Sequence, residues 1–469
     1  MADITQTPKE AFDMHFPLII VGAGGTGLCA ALAAADAGIE ALVIERDPTP
    51  LGSTAMSTGL IPAAGTPEQA AAGIEDSPER FTADIMKKTD GRTDPELAAL
   101  LASESAETVR WLRDDHGVPL GLMGGWLYPG HSAKRMYGTP NRTGGELMAA
   151  LEEAVAGAGI PILTEATVDS LFVDGDRITG VSASRPGGER EAIACDALLL
   201  ACSGFGGNAD LVARYIPEMA GAFYHGHPGN RGDALAWGEA LGAEIADIAA
   251  YQGHGGLAAG HGVPILWPTI MEGGFQVNLE GRRFSNEASG YSEQAALVNA
   301  QPQSLAWTIF DQRCHELMCN FDDYRDALRA NAIVSAESED DLAERTRLPL
   351  AALAETFAQV RHATLGEEPD AFGRDFIGKP VLAPPYHAAK VTGALFHTQG
   401  GLVIDETARV RKQGGGMLPN LFAGGGAARG ISGDGASGYL AGNGLLAATT
   451  LGRIAGTQAA RQVASAPAL

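Results

Sequence analysis

Positive charge is what this chain has least of. Only 33 lysines and arginines stand against 57 aspartates and glutamates, a formal net charge of -24. No basic stripe exists to displace counterions from a phosphate backbone, so no nucleic-acid partner is expected. Cysteine is sparse too. Cys29, Cys195, Cys202, Cys314 and Cys319 make neither a C-x-x-C pair nor a C-x-x-C-H haem site. A scattered, odd set reads as reduced thiols, and no metal site is expected. Long apolar runs are missing: none reaches the ~18 residues needed to cross a bilayer. The opening MADITQTPKEAFDMHF lacks a charged stretch followed by an apolar one, so no secretory signal is expected. The working picture is a soluble cytoplasmic protein without a transmembrane segment.

Glycine, by contrast, is abundant. The 62 glycines among 469 residues are about twice the usual share, and many are clustered. Clusters of this kind mark backbone that turns tightly or approaches a ligand closely. A chain of 48.5 kDa suggests two or three domains and a sizeable core.

The first cluster has a recognisable context. LIIVGAGGTG (18–27) is an apolar run breaking into glycines, followed by the alanine-rich LCAALAAADAG, which reads as strand, turn and helix. Gly22, Gly24 and Gly27 fit G-x-G-x-x-G. The first permits the turn, the second lets backbone reach a pyrophosphate, and the third lets helix and strand pack closely. The helix N-terminus then offers N–H groups and a partial positive charge to the phosphates. A second apolar strand, EALVIER, ends in Glu45, roughly twenty residues after Gly22, where a carboxylate accepts ribose hydroxyls. A dinucleotide site is expected here.

Similar segments recur downstream: ALLLACSGFGG (197–207), LPNLFAGGG (418–426) and GISGDGASGYLAGNGLLAATTLG, which runs into a helix expected to begin near Gly442. A cofactor touched by both ends of the chain suits FAD better than NAD. A late helix N-terminus also suits the electron-rich edge of a reduced flavin.

With these segments in view, the chain resembles the fumarate reductase/succinate dehydrogenase flavoprotein family along nearly its whole length. The stretches that carry the resemblance include GAGGTG, GSTAMSTGLIPAAGT (52–66), PGHSAKRM (129–136), GDALAWGEALGA (232–243), GRRFSNE (281–287), IFDQR (309–313) and PPYHAAKVTGALFHTQGGLVID (384–405). The resemblance implies an α/β fold, a Rossmann-like FAD-binding domain split in sequence by an inserted α+β capping domain. Residues 1–250 and 384–469 would form the first and 251–383 the second, with 335–360 as surface helices. FAD would lie along Gly22, Gly24, Gly25, Gly27, Glu45, Arg46, Ser53, Thr54, Gly59, Val168, Gly204, Gly424, Gly442, Asn443 and Leu445. Ser53 and Thr54 read equally well as turn hydroxyls. Members that attach FAD covalently carry a histidine in the stretch matching 52–60; GSTAMSTGL has none, so non-covalent FAD is expected.

The active-site positions depart from the dicarboxylate enzymes of that family. Their clamp arginines, which bind carboxylates bidentately, fall here on Tyr291 and Tyr439. His397 matches a substrate-facing histidine, and His254 lies near another. Arg313 falls near the family's proton-delivering arginine, and reads more readily as a structural ion-pair partner. Glu287 reads either as a proton relay or as a partner of Arg282 or Arg283. RRFSNEASGY resembles the segment of 3-ketosteroid Δ1-dehydrogenases whose tyrosine takes part in proton abstraction, and PPYHAAKV places Tyr386 where a tyrosine polarises the substrate carbonyl. ISGDGASGYLAG resembles the Δ4-(5α) branch, though Ala441 replaces its serine.

The expected catalytic set is therefore Tyr291, Tyr386, Tyr439, Arg313 and His397. The expected reaction is desaturation, or reduction, of the C–C bond beside a carbonyl of a bulky neutral, ketosteroid-like small molecule, with hydride passing to flavin N5. The alternative is a fumarate-reductase-like reductase of an unsaturated carboxylate. Trp126, Tyr128, Tyr224, Tyr251 and Trp267 are candidates to line an apolar pocket. Electrons would go to a diffusible acceptor or a quinone.

Overall fold

The run Leu18–Val21 is apolar on every residue, which suits a strand covered on both faces, and in the computed structural model it ends the strand Met14–Val21 at the middle of a sheet. The structure describes residues 3–8, 12–124 and 127–465, so Trp126 lies outside the described residues. The chain divides into two units. One comprises Met1–Leu211, Gly226–Tyr251 and His397–Leu469; the other comprises Val212–His225 and Gln252–Phe396.

In the first unit, Met14–Val21 is flanked in parallel by Ala41–Ile44 on one side and Arg190–Leu200 on the other. Ile162–Leu163 extends the sheet beyond Ala41–Ile44, and Met417–Ala423 joins in parallel beside the end of Arg190–Leu200. An antiparallel pair, Thr167–Asp174 and Arg177–Ser184, attaches to the start of Arg190–Leu200. The helix Gly25–Asp36 is buried along nearly its whole length, as expected of a helix apolar on all sides. It packs against the long helix Asn443–Ser465, and glycine is what permits the contact. A Cβ at Gly452 would lie 2.5 Å from Thr26 O, and one at Gly456 would lie 2.2 Å from Ala30 O. The late helix thus begins at Asn443, one residue after the expected Gly442.

The second unit is built on a mixed sheet around the long strand Tyr386–Thr398. Ala306–Asp311 pairs antiparallel with its first half and Phe275–Asn278 follows beyond, while Phe223–Tyr224 pairs in parallel near its far end. Helices Glu339–Thr346 and Leu350–Leu365 supply much of the cover for a core that includes Phe275, Trp307, Phe357 and Tyr386. Residues 384–396, expected with the nucleotide-binding part, group instead with this unit, because their strand hydrogen-bonds to Ala306–Asp311 and Ile333–Ala336. Residues 212–225 join it for the same reason, through the pairing of Phe223 and Tyr224 with Ala394 and Leu395.

Candidate active site

The glycine motif of the first unit has the geometry its spacing predicts. Gly22 has φ +106°, which turns the chain out of the strand, and a Cβ at Gly27 would sit 1.9 Å from Gly22 O. Gly24 differs from both: the nearest atom to a Cβ there is Thr54 Oγ1 at 3.8 Å, so its outer side is open for a ligand. No acidic residue stands in the first turn of Gly25–Asp36 to offset its positive end. Glu45 follows the next strand, its Oε2 accepting from Ala23 N at 2.8 Å and its Oε1 from Asp47 N at 2.9 Å. Each oxygen keeps a lone pair for a ribose hydroxyl.

Two of the other residues expected along FAD touch this frame directly, Thr54 at Gly25 and Gly424 at Thr26. Arg46 Nη1 donates to Gly229 O (2.9 Å), Ser53 Oγ accepts from Asn230 Nδ2 (2.8 Å), and Thr54 Oγ1 accepts from Gly25 N (3.1 Å). Ser53 and Thr54 therefore both hold structure. Gly59, Gly204 and Gly424 lie tight against Thr143, Thr398 and Thr26, and Gly442 packs beside Pro62. Val168 sits in the Thr167–Asp174 strand, and Leu445 in the first turn of Asn443–Ser465. Asn443 Oδ1 is buried there with no hydrogen-bond partner. An unmet acceptor of that kind is costly unless a ligand N–H meets it. The donor set, the open face at Gly24 and this orphan acceptor fit a flavin dinucleotide. Gly27→Ala is expected to abolish flavin retention or lower the melting temperature sharply, since Gly22 O is backbone and cannot move aside. The ratio of flavin to protein absorbance after gel filtration, with a thermal melt, checks it.

Beside the start of Asn443–Ser465 stands the second element of the site. A Cβ at Gly444 would lie 3.0 Å from His397 Cε1 and Nε2, so the imidazole rests against the helix N-terminus. The Tyr439 ring meets His397 edge-on, with centroids 5.8 Å apart. Gln399 Nε2 lies 2.9 Å from His397 Nδ1, Ser432 Oγ donates to Gln399 Oε1 (3.0 Å), and Asn443 Nδ2 donates to Ser432 Oγ (3.5 Å). Burial pushes the His397 imidazole down to about 4, so it is neutral at pH 7. Gln399 and Ser432 escaped the sequence reading. Within HTQGG and GISGDG they look like ordinary polar residues next to glycines.

The second unit carries an aromatic group of its own. His254, on Tyr251–Ala258, lies near-parallel to Phe396 (5.3 Å) and tilted over Tyr291 (5.4 Å), and Trp267 meets both His254 and Tyr291 edge-on. His225 adds to it through Phe396 at 4.8 Å. Tyr291 is the first residue of the helix Tyr291–Asn299. His254 Nδ1 accepts from Gly256 N at 3.0 Å. A backbone N–H only donates, so the neutral ring carries its proton on Nε2. Burial, with the nearby His225 adding to it, pushes this imidazole down to about 3.

Three expected residues stand elsewhere. Tyr386 opens the strand that carries Phe396 near its far end, and at about 3.3 Å per residue this sets them roughly 30 Å apart. Its ring packs on Phe357 at 4.9 Å within the core under Leu350–Leu365, so it is a packing residue remote from Tyr291. Arg313 is held by Glu272, through Oε2 at 3.1 Å and through the carbonyl oxygen. Glu287 is buried with both oxygens occupied. Arg283 Nε and Gln276 N bond Oε1, while Arg283 Nη2 and Arg374 Nη1 bond Oε2, so no lone carboxylate remains to relay a proton. Arg282 pairs instead with Glu355. Of the expected pocket aromatics among the described residues, Tyr128 packs against Leu60, Met136 and Ala441, whereas Trp267 joins Tyr291.

Neutral burial of these imidazoles has a pH signature. His254 at about 3, and His397 and His131 at about 4, all lie below the 6.5 of a free histidine. The unfolded chain therefore binds more protons below pH ~6.5. Their contribution is fully present above that value and is lost as pH falls through the folded-state pKa values. Denaturant midpoints are expected to drop steadily from about pH 7 to about pH 4.5. A flat profile would contradict neutral burial.

These features agree with three comparisons. A family model described as "FAD binding domain" matches residues 18–445. The "Fumarate reductase (cytochrome)" of Shewanella frigidimarina is 28% identical over 463 residues, covering 98% of this chain and 79% of that protein. Among solved structures, the open conformation of a flavocytochrome c3 fumarate reductase superposes with a TM-score of 0.82 at 27% identity, covering 97% of this chain and 79% of the other. The 3-ketosteroid-Δ4-(5α)-dehydrogenase of Rhodococcus jostii RHA1, in complex with 4-androstene-3,17-dione, superposes with a TM-score of 0.77 at 26% identity, covering 98% and 99%. Among the described residues no helix is long and apolar enough to cross a membrane. The nucleotide cradle, the parallel sheet that carries it and the match over most of the chain make this protein a member of the FAD-binding family, an FAD-dependent oxidoreductase.

Proposed function

We propose that the chain oxidises or reduces the C–C bond adjacent to the carbonyl of a bulky neutral substrate, a ketosteroid-like ketone. The observation that carries this reading is the neutrality of the side chains at the key positions. His397 and His254 are both held uncharged, phenols occupy the two positions that match clamp arginines, and Arg313 is engaged by Glu272. A dianion would lack its counter-charges there, whereas a ketone oxygen needs neutral donors.

In this reading the first unit binds FAD non-covalently and the second acts as the capping unit. FAD, when bound, supplies the hydride acceptor or donor. Tyr439 and the Nε2–H of His397 hold the carbonyl oxygen as negative charge develops on it. Tyr291 acts as base in its ionised, tyrosinate form, taking the proton from the carbon next to the carbonyl and becoming the neutral phenol; in the reductive direction the phenol returns that proton. His254 and Trp267 fix its ring. Electrons leave to, or arrive from, a diffusible partner or a quinone.

Likeness to fumarate reductases over nearly the whole chain supports a second reading, a reductase of an unsaturated carboxylate using His397, His254 and Arg313. One screen separates the two: 3-ketosteroids with an artificial dye acceptor, against fumarate-like and urocanate-like acids with reduced viologen. Turnover confined to the acids would overturn the ketone reading.

A further inference from the structure

We infer that Gln399 is a positioning residue, whose amide decides which nitrogen of His397 carries the proton and is itself oriented from the start of the Asn443–Ser465 helix through Ser432. The catalytic consequence rests on the proposed function. The hydrogen-bond chain stands on the geometry of the first unit alone.

His397 Nδ1 has two neighbours that ask opposite things of it. Thr398 O, at 3.4 Å, would accept a proton from Nδ1, whereas Gln399 Nε2, at 2.9 Å, would donate one to its lone pair. The first distance is beyond the usual N–H···O range and the second is at its centre, so the amide prevails. The amide is oriented in turn. Ser432 Oγ accepts the Asn443 Nδ2 proton and sends its own to Gln399 Oε1 at 3.0 Å, which leaves the amide nitrogen for the imidazole. Gln399 and Ser432 are both buried, so water does not replace either contact freely. The proton of the neutral ring is thereby placed on Nε2, which has no hydrogen-bond partner among the described residues. With the opposite tautomer, Nε2 would present a lone pair, which repels a carbonyl oxygen. The chain of bonds ends at Asn443, whose buried Oδ1 is the unmet acceptor at the flavin end.

The test uses the FAD-loaded protein with histidine-selective 15N labelling, His397 being assigned by its loss in His397→Gln. Two-bond 1H–15N correlations at pH 7.5 are expected to show an Nε2–H ring. Gln399→Glu places an acceptor beside Nδ1. It is expected to move the proton to Nδ1, raise the pKa of the ring so that an acid limb enters the pH–rate profile near neutrality, and lower kcat on a ketone by about tenfold or more. KM and the flavin absorbance should change little. Ser432→Ala frees the amide to rotate, and a mixture of tautomers is expected. A wild-type ring protonated on Nδ1, or a Gln399→Glu protein with the wild-type tautomer and pH profile, overturns the inference. Should the tautomer invert as expected while no form of the protein turns over any ketone, the proposed function falls and the positioning role stands.

Discussion

Tyr291→Phe is expected to lower turnover of a ketone substrate by roughly 10²- to 10⁴-fold, the usual worth of a positioned general acid or base. The change removes one hydroxyl. The ring stays, and with it the contacts to His254 and Trp267 that seat it at the head of its helix. Flavin content, flavin spectrum and melting temperature should therefore match the parent protein. KM should move little, because the lost interaction belongs to proton transfer and not to ground-state binding. Stopped-flow reduction of the flavin by a ketone, with and without deuterium at the carbon next to the carbonyl, reads the step directly. Tyr386→Phe serves as the control. Its ring lies against Phe357 in the core of the second unit, so turnover should be preserved even if stability drops slightly. Equal losses in both variants would remove the special role of Tyr291.

The second large effect is expected at His397. In the proposed reaction, truncation to alanine deletes a donor to the developing oxyanion, and removing one such donor typically costs about 10²- to 10³-fold in kcat. It also leaves Gln399 Nε2 without its acceptor, so part of the loss comes from a buried amide that must find a new partner. Tyr439→Phe separates these contributions, since it removes a hydroxyl without disturbing the amide. If the two side chains hold the same oxygen, the double variant should lose less than the product of the single losses. Strict multiplicativity would show that they act on different atoms. An assay with fumarate-like acids gives the converse check: should His397→Ala abolish acid reduction while ketones are never turned over, the carboxylate reading takes its place.

The fold was more legible than the site, and the reason lies in periodicity and glycine. LIIV, ALVI and ALLL are continuous apolar runs, and GAGGTG announces a turn whose atoms leave no room for Cβ at Gly27. Such constraints are local, so a string of residue types carries them. The site depends on pairings far apart in sequence. Nothing near Arg313 in the chain shows that Glu272 will hold it, and of the two arginines on Glu287 only Arg283, four residues back, is legible, since Arg374 comes from a distant loop. PPYHAAKV matches a catalytic segment in residue types, while strand direction and register carry the Tyr386 ring into a core. Gln399 was missed for the opposite reason. Its role comes from Ser432 and from the tautomer of a neighbour, and neither has a sequence signature.

The contact between Gly25–Asp36 and Asn443–Ser465 also sets an order of events during synthesis. The helix Gly25–Asp36 is made long before Asn443–Ser465, the surface that covers it. Until then its apolar flank has no lid, and the strand Met417–Ala423 that completes the parallel sheet beside Arg190–Leu200 is also missing. A nascent chain emerging from the ribosome thus holds an exposed alanine-rich helix until Asn443–Ser465 follows, which is a natural landing place for a chaperone. The cradle for FAD is complete only once Asn443–Ser465 has emerged, so cofactor loading follows the synthesis of that helix.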